Sequence, residues 1–506
     1  MKLRNSKYAV GLLAFVSTVG LWGCSTDSSP EEEKEKEEGT TYTLTSDTSA
    51  ITFEEDESSQ DVTITTNVDT WVISDSGTDW IELSQTSGAS GTTTVTITAE
   101  ENSGIDERTS EITINANNVD AVKITVTQAG VPLSSGIYPD YNTDPLPADD
   151  MGMTHTAVEI AAEIGLGWNI GNTLEAIGSE TAWGNPKATK ELIDLVKQSG
   201  FNAIRIPCSW DQYADQNTAK IGDMWLDRVK EVVQYCIDND MYVLLNVHWD
   251  GGWLENNINE ASEEEVNAKQ KAFWEQIATH LRDFDEHLLF ASANEPAVDD
   301  ATQMAVLNSY HQTFIDAVRS TGGKNTYRTL VVQGPSTDIS KTNNLMTTLP
   351  TDTTPDRMMA EIHYYTPWQF CGLEEDADWG DMWYYWGEGY HSATDTDRNA
   401  TYGEEADMKE LFGLMKTQFV DQGIPVVMGE FSAMRRTTLT GDDLTLHLES
   451  RAYYHKYLVQ QAKVYGLLPF YWDNGGLNDK ASGIFDRSNN TVFDQQVLDA
   501  LLEGLN

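Results

Sequence analysis

Two glutamates carry the most specific chemical signal in the chain. Leu288-Leu-Phe-Ala291 reads as an apolar strand that ends in Asn294-Glu295 and is stopped by Pro296, which lacks the N–H a ladder needs. Ile424 to Phe431, IPVVMGEF, delivers Glu430 at the corresponding place on another buried-looking strand. One carboxylate at a strand end is commonplace, because chains turn there. Two such carboxylates describe a pair facing each other across a barrel mouth, able to share acid–base work between two environments.

The elements that must hold them recur through residues 151–506. Apolar strand-like runs appear at Leu166–Ile170, Ala203–Pro207, Val243–Val247, Leu288–Ala291, Leu330–Gln333, Met358–His363, Val426–Met428 and Leu467–Trp472. Between them lie segments of helical period, such as Thr189–Lys197 and Trp225–Tyr235, with apolar residues on one face. Eight alternating units predict a parallel (β/α)₈ barrel, the fold that places its sites at the strands' C-terminal ends. At those ends this chain places Arg205, His248, Asn294-Glu295, His363-Tyr364-Tyr365, Glu430 and Trp472. A rim built only for stability has no need of that polar set.

The ordered motifs Gly167-Trp-Asn-Ile-Gly-Asn-Thr-Leu174, Trp183-Gly-Asn-Pro186, Gly200-Phe-Asn-Ala-Ile-Arg-Ile-Pro207, Asn294-Glu-Pro296, His363-Tyr-Tyr365 and Gly429-Glu-Phe431 resemble glycoside hydrolase family 5, the cellulase family, and within it subfamily 4. The resemblance spans residues 162–486. It implies a retaining endo-β-1,4-glucanase, with xyloglucan favoured over mixed-linkage glucan, cellulose or mannan. It also implies Glu295 as acid/base and Glu430 as nucleophile, with Arg205, His248, Asn294, His363, Tyr365 and Trp472 completing the site. Many members carry a second histidine where this chain has Trp249.

Retaining cleavage needs two carboxyl groups about 5–5.5 Å apart in different protonation states. Arg205 is expected to lower the pKa of Glu430, while partial burial and the charge of Glu430 are expected to keep Glu295 protonated. Asn294 is suited to a hydrogen bond with the sugar 2-hydroxyl. Aromatic residues crowd the long stretch from Thr366 to Ala400, among them Trp368, Trp379, Trp383 and Trp386. Trp368 is expected on one arm of a glycan cleft, with Trp210, Trp249 and Trp253 as candidates for the other, because sugar C–H faces stack on aromatic rings.

Ahead of the barrel, residues 1–23 combine Lys2, Arg4 and Lys7 with an apolar run and lead into Leu21-Trp-Gly-Cys24. This is the pattern of a secretory signal, and it resembles a bacterial lipobox that would leave Cys24 lipidated. Residues 24–41 form an acidic tether. The location this implies is the cell surface, anchored to the outer membrane, with a periplasmic location as the alternative. Residues 42–130 alternate persistently, with turn signals at Thr86–Gly88, Ala89–Gly91 and Asn102–Gly104, and predict a β-sandwich. The order of Trp71, Asp79-Trp-Ile81, Glu107-Arg108 and Val126–Gln128 resembles the BACON family of immunoglobulin-like modules. Trp71 and Trp80 are expected to pack its core, leaving the domain a spacer. Residues 131–150, with four prolines, are expected to be a semi-extended linker.

The formal charge of −49, from 81 acidic and 32 basic residues, disfavours a nucleic-acid partner and suits a neutral polymer. Cys208, Cys236 and Cys371 are the only cysteines besides Cys24, so no disulfide framework is expected. No metal-ligand spacing occurs, and the chain is read as a cofactor-free monomer. Two rival readings remain at this level: a non-catalytic glycan-capture protein, and a metal-dependent hydrolase using His248, His363 and a glutamate.

Overall fold

The computed structural model describes residues 41–506 apart from 75–77, 79, 103–106 and 131–135. The signal, Cys24 and all but the last residue of the tether lie outside the described residues. No helix among the described residues is long and apolar enough to cross a membrane.

The N-terminal unit is all β: β1 (Leu44–Ser46), β2 (Ala50–Phe53), β3 (Ser58–Ser74), β4 (Ile81–Leu83), β5 (Ser87–Ala99), β6 (Arg108–Ala116) and β7 (Val122–Gln128). Hydrogen bonding runs in the order β2-β7-β6-β3-β5-β4, with β1 on β3. Period-two alternation sends Val62, Ile64, Val95, Ile97, Ile112, Ile114, Ile124 and Val126 into one core. Trp71 is buried there, and Trp80 packs against the core with the Arg108 guanidinium 4.5 Å above its ring. The segments Thr86–Gly88 and Ala89–Gly91 are not turns, since all but Thr86 lie within β5, where Ser87, Gly88, Ala89 and Gly91 pair with β3. Gly88 is required because a Cβ there would lie 2.4 Å from the Trp71 ring, and Gly91 adopts φ 121° where the β3 register shifts.

The second unit is a closed eight-stranded parallel barrel of β8 (Gly167–Ile170), β9 (Ala203–Ile206), β10 (Tyr242–Asn246), β11 (Leu288–Ala291), β12 (Leu330–Gln333), β13 (Met358–Tyr364), β14 (Val426–Phe431) and β15 (Leu467–Asp473). Each strand coincides with one of the eight apolar runs to within three residues. Thr189 caps the helix Lys190–Gln198, its side chain accepting from the N–H of Leu192.

Inside the barrel, side chains alternate by layer. Ala203, Leu244, Leu289, Ala291, Val331, Met359, Val427, Leu468 and Phe470 form an apolar plug with Ala157, Ile160 and Ile164. The last three come from helix α1 (Ala157–Glu163) and its C-terminal flank. Two residues further along β9, β10, β12 and β13, Arg205, Asn246, Gln333 and Glu361 join Asn169 of β8 in a buried polar layer directly below the mouth. The described part of the proline-rich segment does not behave as a free linker. Tyr141 donates its hydroxyl to the Thr218 carbonyl at 2.7 Å and its N–H to Glu275, and Asn142 donates to the Ser320 carbonyl. Prolines supply extension, and these polar contacts fasten it to the barrel wall.

Candidate active site

Arg205 rises from β9 fully buried, and its five donors organise the site. Nη1 donates to Glu430 Oε1 at 2.8 Å and to Asn169 Oδ1 at 3.1 Å, Nη2 donates to Asn294 Oδ1 at 2.9 Å, and Nε lies 2.9 Å from Glu361 Oε1. The Tyr365 hydroxyl donates to the second Glu430 oxygen at 2.9 Å. His363 Nδ1 meets Glu295 Oε1 at 2.7 Å and lies 3.7 Å from Glu430 Oε2, while its Nε2 faces Glu361 at 3.3 Å. One oxygen of Glu295 and one of Glu430 come within 4.8 Å of each other. That spacing fits the roughly 5–5.5 Å carboxyl separation of retaining glycosidases and is shorter than the roughly 6.5–9.5 Å of inverting ones.

Glu430 reaches the mouth through an irregularity. On β14, Val427 faces the barrel interior while Val426 and Met428 face the helices. Gly429 lies against Glu361, where a Cβ would be 1.9 Å from Oε1. Strict alternation would then turn Glu430 outward. The register instead shifts between Ile362 and His363 on β13 and between Met428 and Phe431 on β14, so that Glu430 pairs with His363 and Phe431 packs outward on Tyr471.

The electrostatics correct the expectation from sequence. Burial raises Glu430 above the ordinary glutamate value despite the charges of His363 and Arg205. Desolvation also raises Glu295, but the hydrogen bond and charge of His363, joined by Arg205, bring it below its ordinary value. His363 explains both. Burial disfavours its charge, yet Glu430, Glu295 and Glu361 surround it and lift it to about 10. The proton of the His363–Glu295 bond therefore rests on the imidazole in the free protein.

His248 is held neutral, well below its ordinary pKa, by burial and the charges of Arg205 and His363. The Asn246 amide pairs with its Nδ1 at 3.2 Å, leaving Nε2 as the donor. Trp472 stacks parallel to the His248 imidazole with centroids 5.8 Å apart. Trp368 lies edge-on to Tyr365 and is 47% exposed, and Trp249 is 41% exposed. Both are available as open aromatic surfaces.

Other aromatic candidates are structural. Trp253 donates its Nε1 to Asp250 at 3.0 Å and packs edge-on against Phe273, below Lys269, so its face is used by the helix Glu263–Leu281. Trp210 is buried and donates to the Asn246 carbonyl. Trp383 and Trp386 are buried, Trp383 edge-on to Tyr402 and Trp386 against Tyr453, Tyr454 and Tyr457 of the helix Gly441–Tyr465. Indole N–H groups near backbone acceptors favour burial, and composition alone does not distinguish such a tryptophan from a platform. Asn294 places its Oδ1 on Arg205 and one of its two amide N–H donors on Glu255.

Sequence reasoning missed Glu361, Gln333, Asn169, Asn246 and Glu255. Gln333 donates to Glu361 at 2.6 Å, and Asn169 donates to the Gly429 carbonyl at 2.8 Å. A signal existed for two of them, because Glu361 and Asn246 precede His363 and His248 by two residues and so share their face.

Glu295, His363 and Glu430 each present a ligand atom within 4.8 Å of the others. Arg205 already occupies Glu430, and His363 would have to surrender its proton before binding a cation. The donor set suits proton transfer better than a divalent ion.

Residues 169–478 match the cellulase model of glycosyl hydrolase family 5, and residues 69–129 match the BACON domain model. The chain belongs to glycoside hydrolase family 5. This hydrolase is 35% identical over 454 residues, 86% of either chain, to a xyloglucan-specific endo-β-1,4-glucanase of Bacteroides ovatus. It is 36% identical over 377 residues to endoglucanase A of Paenibacillus barcinonensis, covering 69% of this chain and 90% of that one. Among solved structures, a Bacteroides ovatus family 5 xyloglucanase with a bound XXXG heptasaccharide superposes with a TM-score of 0.67 at 32% identity, covering 92% of this chain and all of that one. A xyloglucan-specific β-1,4-glucanase from a ruminal metagenomic library, bound to XXLG, gives 0.63 at 40% identity and covers 69% of this chain and 96% of that one. Family 5 hydrolases retain anomeric configuration, in keeping with the carboxyl spacing at the mouth.

Proposed function

We propose that the chain is a retaining endo-β-1,4-glucanase that cuts xyloglucan from the cell surface. The observation that carries the reading is the carboxyl pair Glu295 and Glu430 within 4.8 Å, bridged by His363 and clamped by Arg205 and Tyr365. In this reading Glu430 attacks the anomeric carbon. Its two oxygens are held by Arg205 and Tyr365, which leaves one attack direction and stabilises the ionised form. Glu295 protonates the departing oxygen, and the proton comes along the short bond from His363 once sugar displaces water from the mouth. Glu430 loses its charge on forming the glycosyl ester. Glu295, now a base, activates the water that releases the sugar.

Trp472 and His248 form a joint parallel surface suited to one sugar ring, with Trp249 and Trp368 as outer stacking positions. The substrate preference draws on the likeness to two xyloglucan-specific enzymes. The N-terminal unit serves as a spacer, since Trp71 is buried and Trp80 is covered by Arg108. Lipidation at Cys24, outer-membrane anchoring and a monomeric state complete the proposal. The basis of the lipidation and the anchoring is the charged, apolar, cysteine-ending order of the first residues.

The test is an end-product assay on xyloglucan, mixed-linkage glucan, carboxymethylcellulose and glucomannan, with and without chelator. Preferential release of oligosaccharides from xyloglucan, unchanged by EDTA, upholds the reading. A faster reaction on another polymer overturns the substrate, and loss with EDTA overturns the mechanism. Membrane fractionation of a Cys24→Ala variant tests the anchor, which predicts release of the protein.

A further inference from the structure

The proton balance at Glu295 poses a problem that its immediate partners do not solve. Arg205 and His363 both favour its ionised form, while an acid must carry a proton. Behind the Asn294-Glu295-Pro296 turn lies a residue outside the motifs of the family resemblance. Glu255, from the loop after β10, is 6% exposed. Its Oε1 accepts the backbone N–H of Glu295 at 2.6 Å, its side chain accepts from the Asn294 amide, and its carbonyl accepts the N–H of Ala297 at 3.1 Å. One residue thus holds three successive points of the turn that presents Glu295.

We propose that Glu255 is the positioning residue for the acid/base glutamate, fixing residues 294–297 so that the Glu295 carboxyl stays against His363 and opposite Glu430. The turn lies beyond the last ladder bond of β11, so no strand pairing holds it. Glu255 takes over that task from a neighbouring loop. It also places a carboxyl group beside Glu295. Glu295 and Glu430 are the charged groups that face it, and burial brings its own carboxyl to about 7. Its ionised form opposes loss of the proton from Glu295.

The inference rests on Glu295 being the acid/base, and the experiment separates the two claims. Full-length Glu255→Gln, Glu255→Ala and Glu295→Ala proteins are compared by kcat/KM on xyloglucan and on a dinitrophenyl β-cello-oligosaccharide, whose leaving group needs no protonation. Glu295→Ala must lose about 10²-fold or more on the polymer and little on the aryl substrate, as removal of a general acid requires. If it loses both equally, the acid/base assignment fails. Glu255→Ala is expected to show the same split at smaller size. Glu255→Gln keeps an acceptor for the Glu295 N–H and should retain most polymer activity, with the alkaline limb of its pH profile moved to lower pH. Should the alanine variant not fold, the glutamine variant's limb shift decides alone. Equal losses on both substrates, or an unmoved limb in Glu255→Gln, overturn the proposal.

Discussion

His363 and Glu430 are direct cross-strand partners only because β13 and β14 slip by one residue between Ile362 and His363. The slip turns Glu430 into the mouth and leaves Gly429, with no side chain, beside Glu361. Glu361 in turn holds Arg205 and His363. Glu430, the proposed nucleophile, therefore shares one local distortion with Arg205 and His363.

Filling that distortion should be costly. In Gly429→Ala the new methyl would sit 1.9 Å from the Glu361 carboxylate, which the surrounding barrel leaves nowhere to go. Urea denaturation is expected to show a loss of about 1–3 kcal/mol, accompanied by reduced kcat. Wild-type stability in this variant would mean that β14 can relax around the site.

Removing the nucleophile separates chemistry from binding. Glu430→Ala should lower kcat on xyloglucan by about 10⁴-fold or more while the protein still binds the polymer in affinity electrophoresis. Full retained activity would place the covalent step elsewhere.

The pH profile follows from the two shifted groups. Glu430, raised by burial, must be ionised to attack, so kcat/KM should fall on acidification at a pH above the ordinary glutamate value of 4.5. His363 is raised from 6.5 to about 10 in the folded protein. Its contribution to stability is fully present below pH 6.5 and is lost as pH rises through about 10. Thermal melts of wild type and His363→Asn across pH 6 to 11 should converge at the alkaline end. Curves that stay parallel would show that His363 is not charged in the fold.

Trp368 and Trp253 should part company on truncation. Trp368→Ala removes an exposed ring beside Tyr365 and is expected to raise KM by roughly 3–10-fold at unchanged Tm, the size of an aromatic stacking contact. Trp253→Ala removes a ring packed on Phe273 and should cost about 3 kcal/mol in stability. The reverse pattern would move the cleft to the other arm.

The amino-acid sequence by itself determined the barrel, because eight apolar runs long enough only for strands, separated by helix-period segments, permit few other closures. It also determined which strand ends carry Arg205, His248, Glu295, His363 and Glu430, since these residues interrupt apolar runs where the runs stop. Other features depend on register and packing between segments far apart in the chain. Period-two alternation along β14 points Glu430 away from the mouth, and only its bulged pairing with β13 brings it in. Glu255 touches Glu295 through a loop fold that no spacing encodes. Trp253 and Trp368 have the same side chain in similar loops, and only the tertiary fold buries one against Phe273 and leaves the other open. The protonation order at the site likewise depends on tertiary structure, because the charge on His363 rests on three carboxylates that meet around it: Glu361 within its own strand, Glu430 on β14 and Glu295 beyond β11.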